Sequence, residues 1–158
     1  MIYLVAIMGQ GGAATSPGVG QMADQARALG VECDVFEYGD AQTALQGLVT
    51  KVSDGYKLAG LGYSLGVSTL TWLQKYLVFD LVLCVAASDF AGSDNYPIRA
   101  TTKRSVLWRN PLEPLSAAGG DLGFTVIHDL PLVPHLLMDV DPGVQAGVVA
   151  ELKALAGS

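Results

Sequence analysis

The sequence predicts a three-layer α/β/α fold built on a mostly parallel sheet. Strand-like and helix-like segments alternate along almost the whole chain, which is typical of β-α-β units. The strand-like segments are continuous apolar runs, and such runs indicate strands buried on both faces. The 158 residues are 51% hydrophobic and 15% charged, so the chain can fill a sizeable core. We expect one domain over residues 1–158.

The first elements are delimited by glycine and proline. Residues 2–8 form an apolar run rich in β-formers. Ser16 and Pro17 suit the start of a helix, because serine caps the first turn and proline is favoured inside it. Gly30 ends that helix, and residues 31–38 have the composition of a second strand.

The middle of the chain repeats the same alternation. Residues 41–52 carry leucines and valine on one helical face. Residues 58–63 are a third strand that leads directly into a glycine-flanked serine. Residues 67–77 continue as a helix, and residues 81–87 form the most apolar strand.

The last third is looser, because prolines and glycines interrupt it. Residues 105–108 and 124–127 have strand character, with long irregular segments before and after the second of them. Residues 144–155 close the chain as an amphipathic helix. The order of elements therefore indicates a parallel sheet with helices on both faces.

Composition excludes several classes of function. The formal net charge is −6 and no basic cluster is denser than Lys103-Arg104, so nucleic acid is not an expected partner. The apolar runs are too short to cross a bilayer, and no basic residue precedes the first one; we expect a cytoplasmic protein without a membrane span. Cys33 and Cys84 lie in apolar runs and are expected to be small buried side chains.

The segment Gly62-Tyr63-Ser64-Leu65-Gly66 has the pattern of a nucleophile elbow. A serine hydroxyl attacks only when a base removes its proton and when its oxygen stands clear of the backbone. The tight strand-to-helix turn meets the second need, and glycines at 62 and 66 avoid clashes there. A strand before the motif and a helix after it supply the required context. We therefore predict that Ser64 is a catalytic nucleophile.

The base should be a histidine that follows the serine, since proteins with this elbow motif have the chain order serine, acid, histidine. His128 and His135 both satisfy that order. His135 lies in a loop just before the closing helix, whereas His128 ends a predicted strand. We predict His135, because catalytic groups project from loops beyond strand ends.

The acid must orient the imidazole and stabilise its charged form. Asp89 follows the strand after the elbow helix, at the edge where open α/β sheets carry their sites. Asp94 and Glu113 are competing acids in nearby loops, and Asp129 is a weaker choice. We predict Asp89.

The oxyanion hole needs two backbone N–H donors. The residue after the nucleophile, Leu65, supplies one. The loop after the first strand supplies the other, and we predict Gln10.

The chain resembles small bacterial and phage α/β-hydrolase or lipase-like proteins over nearly its whole length. The matching segments are the first loop with Thr15-Ser16-Pro17-Gly18, the connection at residues 28–35, the elbow, Ala87-Ser88-Asp89-Phe90, and residues 135–141. Tyr63 stands where that group often has histidine, and Phe90 where it often has proline. The resemblance implies a minimal α/β-hydrolase-like fold without a cap domain. It also implies ester or thioester hydrolysis through Ser64, Asp89 and His135, with no cofactor.

Side chains in the irregular segments favour a small or medium apolar acyl group over a charged one. They are Tyr96, Pro97, Ile98, Leu112, Leu115 and Phe124. The sequence does not fix the acyl chain length or the oligomeric state.

Two other functions are compatible with the sequence. Gly9-Gln10-Gly11-Gly12-Ala13-Ala14 fits the glycine pattern of dinucleotide-binding domains, with Glu37 or Asp40 as the ribose-binding acid. That motif needs a helix that starts within the glycines, and Pro17 delays the helix. The second alternative is a catalytically silent hydrolase fold that acts as a binding or structural module.

Overall fold

The computed structural model describes residues 1–88, 95–115, 118 and 121–158. Its strands are β1 (Ile2–Met8), β2 (Glu32–Glu37), β3 (Lys57–Tyr63), β4 (Leu81–Val85), β5 (Arg104–Arg109) and β6 (Val126–Asp129). Its α-helices are α1 (Pro17–Ala28), α2 (Ala41–Ser53), α3 (Gly66–Leu73) and α4 (Pro142–Ala156). Single turns of 3₁₀ helix span Gly12–Ala14 and His135–Leu137.

The strands form one sheet in the order β2-β1-β3-β4-β5-β6, and each of these pairings is parallel. The predicted α/β class is confirmed. The described pairings are parallel throughout, whereas the sequence predicted a mostly parallel sheet. Continuous burial of β1, β3 and β4 explains why these strands are apolar at nearly every position.

Helices cover both faces of the sheet and make the three layers. On one face, buried residues of α1 and α4 such as Met22 and Val148 pack against Leu4, Leu61 and Leu83. On the other face, α2 and α3 bring Leu48 and Leu70 into the second half of the core. The cysteines are buried and free, as the sequence predicts.

Some boundaries differ from the sequence prediction. The last strand begins at Val126, two residues later than predicted, because Thr125 and Ser105 bond through their hydroxyls where the strand would start. Strand β4 ends at Val85 because Ala86 has a left-handed φ of 51°. Helix α3 ends at Leu73, short of the predicted 77.

All six strands point the same way, so their carboxyl ends lie along one edge of the sheet. The residues that follow β1, β3, β5 and β6 therefore meet in space although they are far apart in sequence. In the part of the chain that the structure describes, no helix is both long and apolar enough to cross a membrane.

Candidate active site

Ser64 occupies the strained turn that the motif predicts. It directly follows β3 and has a left-handed φ of 54°, a conformation that few non-glycine residues adopt. The flanking glycines are required by close backbone approach. A Cβ on Gly66 would lie 2.3 Å from the Ile7 carbonyl oxygen, and one on Gly62 would lie 2.9 Å from the Gly66 oxygen. The turn holds the hydroxyl at the sheet edge.

His135 is the histidine that reaches this serine. Its Nε2 lies 2.9 Å from Ser64 Oγ, which is hydrogen-bonding distance. Both side chains are buried, with 9% of Ser64 and 6% of His135 exposed. His135 opens the single helical turn that follows β6, so strands β3 and β6 bring the pair together across two intervening strands.

His128 does not take part in this contact. It lies within β6 and is exposed, and its ring stacks on Trp108 at a centroid distance of 5.5 Å. Position relative to the strand explains the difference between the two histidines. His128 lies within the edge strand β6, opposite Trp108, whereas His135 lies beyond the end of that strand.

Burial lowers the pKa of His135 from its ordinary value of 6.5. The Glu113 carboxylate and the Leu115 backbone act in the opposite direction and favour the charged form. The effect of burial on the pKa is the larger one, so the imidazole is neutral at neutral pH. A neutral imidazole is the form that can accept the serine proton.

Glu113 contacts the backbone of His135 rather than its ring. The His135 N–H donates to Glu113 Oε2 at 2.6 Å. The Tyr63 hydroxyl donates to the His135 carbonyl oxygen at 2.7 Å. Sequence reasoning missed both contacts, because neither a hydroxyl nor a carboxylate 22 or more residues away leaves a local pattern.

The catalytic roles in the predicted triad all stay predictions, and so does the identity of its acid. Asp89 and Asp94 lie outside the described residues. Glu113 lies in the segment after β5, beside the His135 backbone. Asp129 is exposed and pairs with Arg109 at 2.8 Å. Within the described ranges, His135 Nδ1 has no hydrogen-bond partner.

The first loop lies directly against Ser64. A Cβ on Gly9 would come within 3.0 Å of the Ser64 Cβ, and the Gly9 N–H donates to Ser16 Oγ at 3.1 Å. Gln10 and Leu65, the two predicted oxyanion donors, both line the cavity that contains Ser64. The loop and the elbow thus share one site.

That cavity has a volume of about 360 Å³. Beside Ser64 and His135 it is lined by uncharged residues, which include Leu65, Leu115 and Leu136. None of the described lining residues is an aspartate, glutamate, lysine or arginine. A neutral ligand with an apolar portion fits these walls.

A solved structure has the same architecture. It is described as a candidate hydrolase of the alpha/beta superfamily from Xanthomonas campestris pv. campestris. It aligns with a TM-score of 0.63 over 98% of this chain and 99% of that one, at 14% sequence identity. The two chains share one fold. No protein-family model matches the sequence, and no curated protein matches it.

The segment after His135 is tied to the first helix by Asp139, which the sequence did not single out. Asp139 is fully buried, and its Oδ2 accepts the Gly18 N–H at 2.8 Å. Gly18 has no room for a side chain, since a Cβ would lie 2.0 Å from the Asp139 carbonyl oxygen. Burial raises the pKa of Asp139, and backbone N–H groups at the start of α1 oppose that rise.

The dinucleotide alternative finds little support in the geometry. Helix α1 begins at Pro17, after the glycines and a separate 3₁₀ turn. A Cβ on Gly12 would lie 2.6 Å from Glu37 Oε1, so the proposed ribose-binding acid packs against the glycine loop itself. Among the described residues, no group of three or more histidine, cysteine, aspartate or glutamate side chains could hold a metal ion.

Proposed function

We propose that this protein is a serine hydrolase that cleaves a carboxylic ester or thioester. The observation that carries the proposal is the 2.9 Å contact between Ser64 Oγ and His135 Nε2, made by a serine in a left-handed turn at a sheet edge. A strained, buried serine that contacts an uncharged imidazole has the features of an activated nucleophile. The shared fold with a candidate hydrolase agrees with this proposal.

In the proposed reaction, His135 Nε2 takes the Ser64 proton while Oγ bonds to the acyl carbon. The backbone N–H groups of Leu65 and Gln10 stabilise the negative charge on the carbonyl oxygen. As the tetrahedral intermediate collapses, the bond to the leaving oxygen or sulfur breaks and His135 gives that atom its proton. Water then adds to the acyl carbon while His135 takes its proton, and the bond to Ser64 Oγ breaks as His135 returns that proton to Oγ, which releases the carboxylic acid.

A carboxylate that stabilises the imidazolium completes the proposal. Asp89 remains our choice from the sequence, and Glu113 is the competing carboxylate, which contacts the His135 backbone N–H rather than the ring and so suits a positioning role better than that of the acid. The pair of variants Asp89→Asn and Glu113→Gln separates them. The acid is the residue whose neutral variant lowers kcat by about a thousandfold or more.

The walls of the cavity bear on the substrate. Apolar, uncharged surroundings favour a neutral acyl group, and about 360 Å³ suits a short or medium chain. A panel of p-nitrophenyl esters from acetate to laurate, with a succinyl ester as the charged member, tests this. We expect the highest kcat/KM on a neutral ester of intermediate length. A preference for the charged ester would contradict the assignment.

The direct test of the nucleophile is labelling with a fluorophosphonate. We expect the wild type to be labelled on the peptide that contains Ser64, and Ser64→Ala to lose both the label and ester turnover by at least about a thousandfold. Ser88→Ala is the matched control, because Ser88 lines the same cavity. Undiminished turnover in Ser64→Ala would refute the proposal.

A further inference from the structure

His135 is held by its backbone as well as by its ring. Its N–H donates to Glu113, its carbonyl oxygen accepts from Tyr63, and its Nε2 faces Ser64. The two backbone contacts come from different strand ends, because Tyr63 closes β3 and Glu113 follows β5. The histidine is therefore fixed on opposite sides of its own Cα.

Glu113 supplies a hydrogen-bond acceptor at the start of the 3₁₀ turn that contains His135. His135 is the first residue of a single 3₁₀ turn, so its N–H has no acceptor within that turn. A carboxylate at such an N-terminus makes a strong, charge-assisted hydrogen bond. Three residues of 3₁₀ helix have little stability of their own, so outside contacts must decide where the ring points.

Tyr63 is bonded covalently to Ser64, which directly follows it, and it reaches His135 through the hydrogen bond of its hydroxyl. Its side chain is buried, with 2% exposed, and its ring packs on the imidazole at a centroid distance of 5.6 Å. Burial raises the pKa of its hydroxyl, so the hydroxyl stays protonated and remains a donor. Any shift of the elbow is thus transmitted to the backbone of His135.

We propose that Tyr63 and Glu113 are positioning residues that clamp the backbone of His135 from both sides and so fix Nε2 against Ser64. The inference rests on the proposed function. Neither residue needs to touch the reacting atoms, and either one alone would leave the short turn free to rotate about the other contact.

The two variants Glu113→Gln and Glu113→Ala separate the hydrogen bond from the charge. Glutamine retains an acceptor oxygen for the His135 N–H, so its kcat above the acid limb should stay within about threefold of wild type. Alanine removes the acceptor, and kcat should fall about tenfold or more at every pH because the base is misplaced. A Glu113→Gln variant as impaired as Glu113→Ala would overturn the clamp.

For the opposite side, Tyr63→Phe removes the hydroxyl and keeps the ring. We expect kcat to fall about tenfold with KM within about twofold, since the loss concerns the position of the base rather than the binding of the substrate. The double variant Tyr63→Phe with Glu113→Ala should lose less than the product of the two single losses, because both contacts hold one residue. Fully multiplicative losses, or an unchanged kcat in Tyr63→Phe, would overturn the clamp.

A measurement without substrate separates failure of the clamp from failure of the proposed function. The chain has two histidines, so His128→Gln leaves His135 as the one imidazole signal to follow by NMR. Among the described residues, the titratable groups that face this segment are Glu113 and Tyr63, which hydrogen-bond to the His135 backbone, and Asp139, whose charge acts on the Tyr63 hydroxyl. Adding Glu113→Gln should move the His135 titration to lower pH, because a neighbouring negative charge is lost.

The matched control is Asp129→Asn, which removes a carboxylate from the exposed end of β6. It should leave the His135 titration in place. An unchanged titration in Glu113→Gln would overturn the clamp even in an active enzyme. A shifted titration in a protein that turns over no ester would retain the clamp and reject the hydrolase.

Discussion

One cavity lies at the carboxyl ends of the parallel strands, the carboxyl edge, and another lies at their amino ends, the amino edge. The two cavities differ in the residues that line them. The one at the amino edge, about 430 Å³, is the larger and is lined by Asp80, Lys103, Arg104 and Glu151. These charges pair with each other, at 2.8 Å and 2.7 Å. The carboxyl-edge cavity is smaller but contains a buried serine in a left-handed conformation. We therefore place the proposed site at the carboxyl edge not for its volume but for the strained serine and the uncharged imidazole beside its hydroxyl.

The sharpest way to break this comparison is to remove each histidine in turn. His135→Ala should lower kcat/KM for an ester by about a thousandfold, because in the proposed mechanism His135 takes the Ser64 proton. His128→Ala should stay within about twofold, since its exposed ring stacks on Trp108 and Ser64 instead contacts His135. Steady-state kinetics on both variants decides. Equal losses would mean that the contact with Ser64 is not catalytic.

A second test compares a glycine that is crowded by backbone, Gly66, with one that has open space around it, Gly47. Gly66→Ala would put a Cβ 2.3 Å from the Ile7 oxygen and should cost about 3 kcal/mol of unfolding free energy. Gly47 lies inside α2, and a Cβ added there would meet nothing within 4 Å. Gly47→Ala should instead gain about 0.5–1 kcal/mol, as expected for an unobstructed helix position.

Urea unfolding of both variants measures these free energies. A Gly66→Ala protein as stable as wild type would show that the elbow can relax, which removes the argument for a fixed hydroxyl position. A destabilised Gly47→Ala would instead point to contacts at that helix face.

The pH profile of kcat/KM sharpens the carboxyl-edge description. The base must be neutral, and burial lowers its pKa below 6.5. Activity should therefore be lost only as pH falls through a value below 6.5, and at pH 6.5 the rate should exceed half of its plateau. An acid limb centred above 6.5 would show that the opposing negative charges outweigh burial.

The smallest effect is expected at the amino edge. Arg104 and Glu151 form a bidentate pair, but the arginine side chain is 47% exposed. Arg104→Ala should lower the free energy of unfolding by less than about 1 kcal/mol, and this loss should become smaller with added salt. Ester turnover should stay unchanged. Thermal unfolding at two salt concentrations and one kinetic assay suffice. A large loss of turnover would indicate that the amino-edge cavity takes part in the reaction.

Sequence predicted the fold well because the signal is strong and local. Apolar runs bounded by glycine mark β1, β3 and β4, and the residues around Pro17 mark the start of α1. The weakest element, β6, was misplaced by two residues because its pattern is short and its first contacts are made by the Thr125 hydroxyl.

The candidate site shows the same difference between features with a local sequence pattern and contacts made across the fold. The strained turn at Ser64 could be expected because the elbow is a five-residue motif, and the approach of His135 because it lies beyond a strand end; their catalytic roles stay predictions. The contacts that hold His135 could not, since Tyr63 and Glu113 act across 72 and 22 residues and depend on how strand ends meet. The choice of acid stays a prediction because Asp89 and Asp94 lie outside the described residues.

The bond between Gly18 and Asp139 joins positions 121 residues apart. It exists only when the segment that carries His135 is seated on the first helix. The exchange rate of the Gly18 amide hydrogen with solvent therefore reports, at a single resonance, how often that segment lifts away. Slow exchange in the resting protein would mean that the histidine is in place before any substrate arrives.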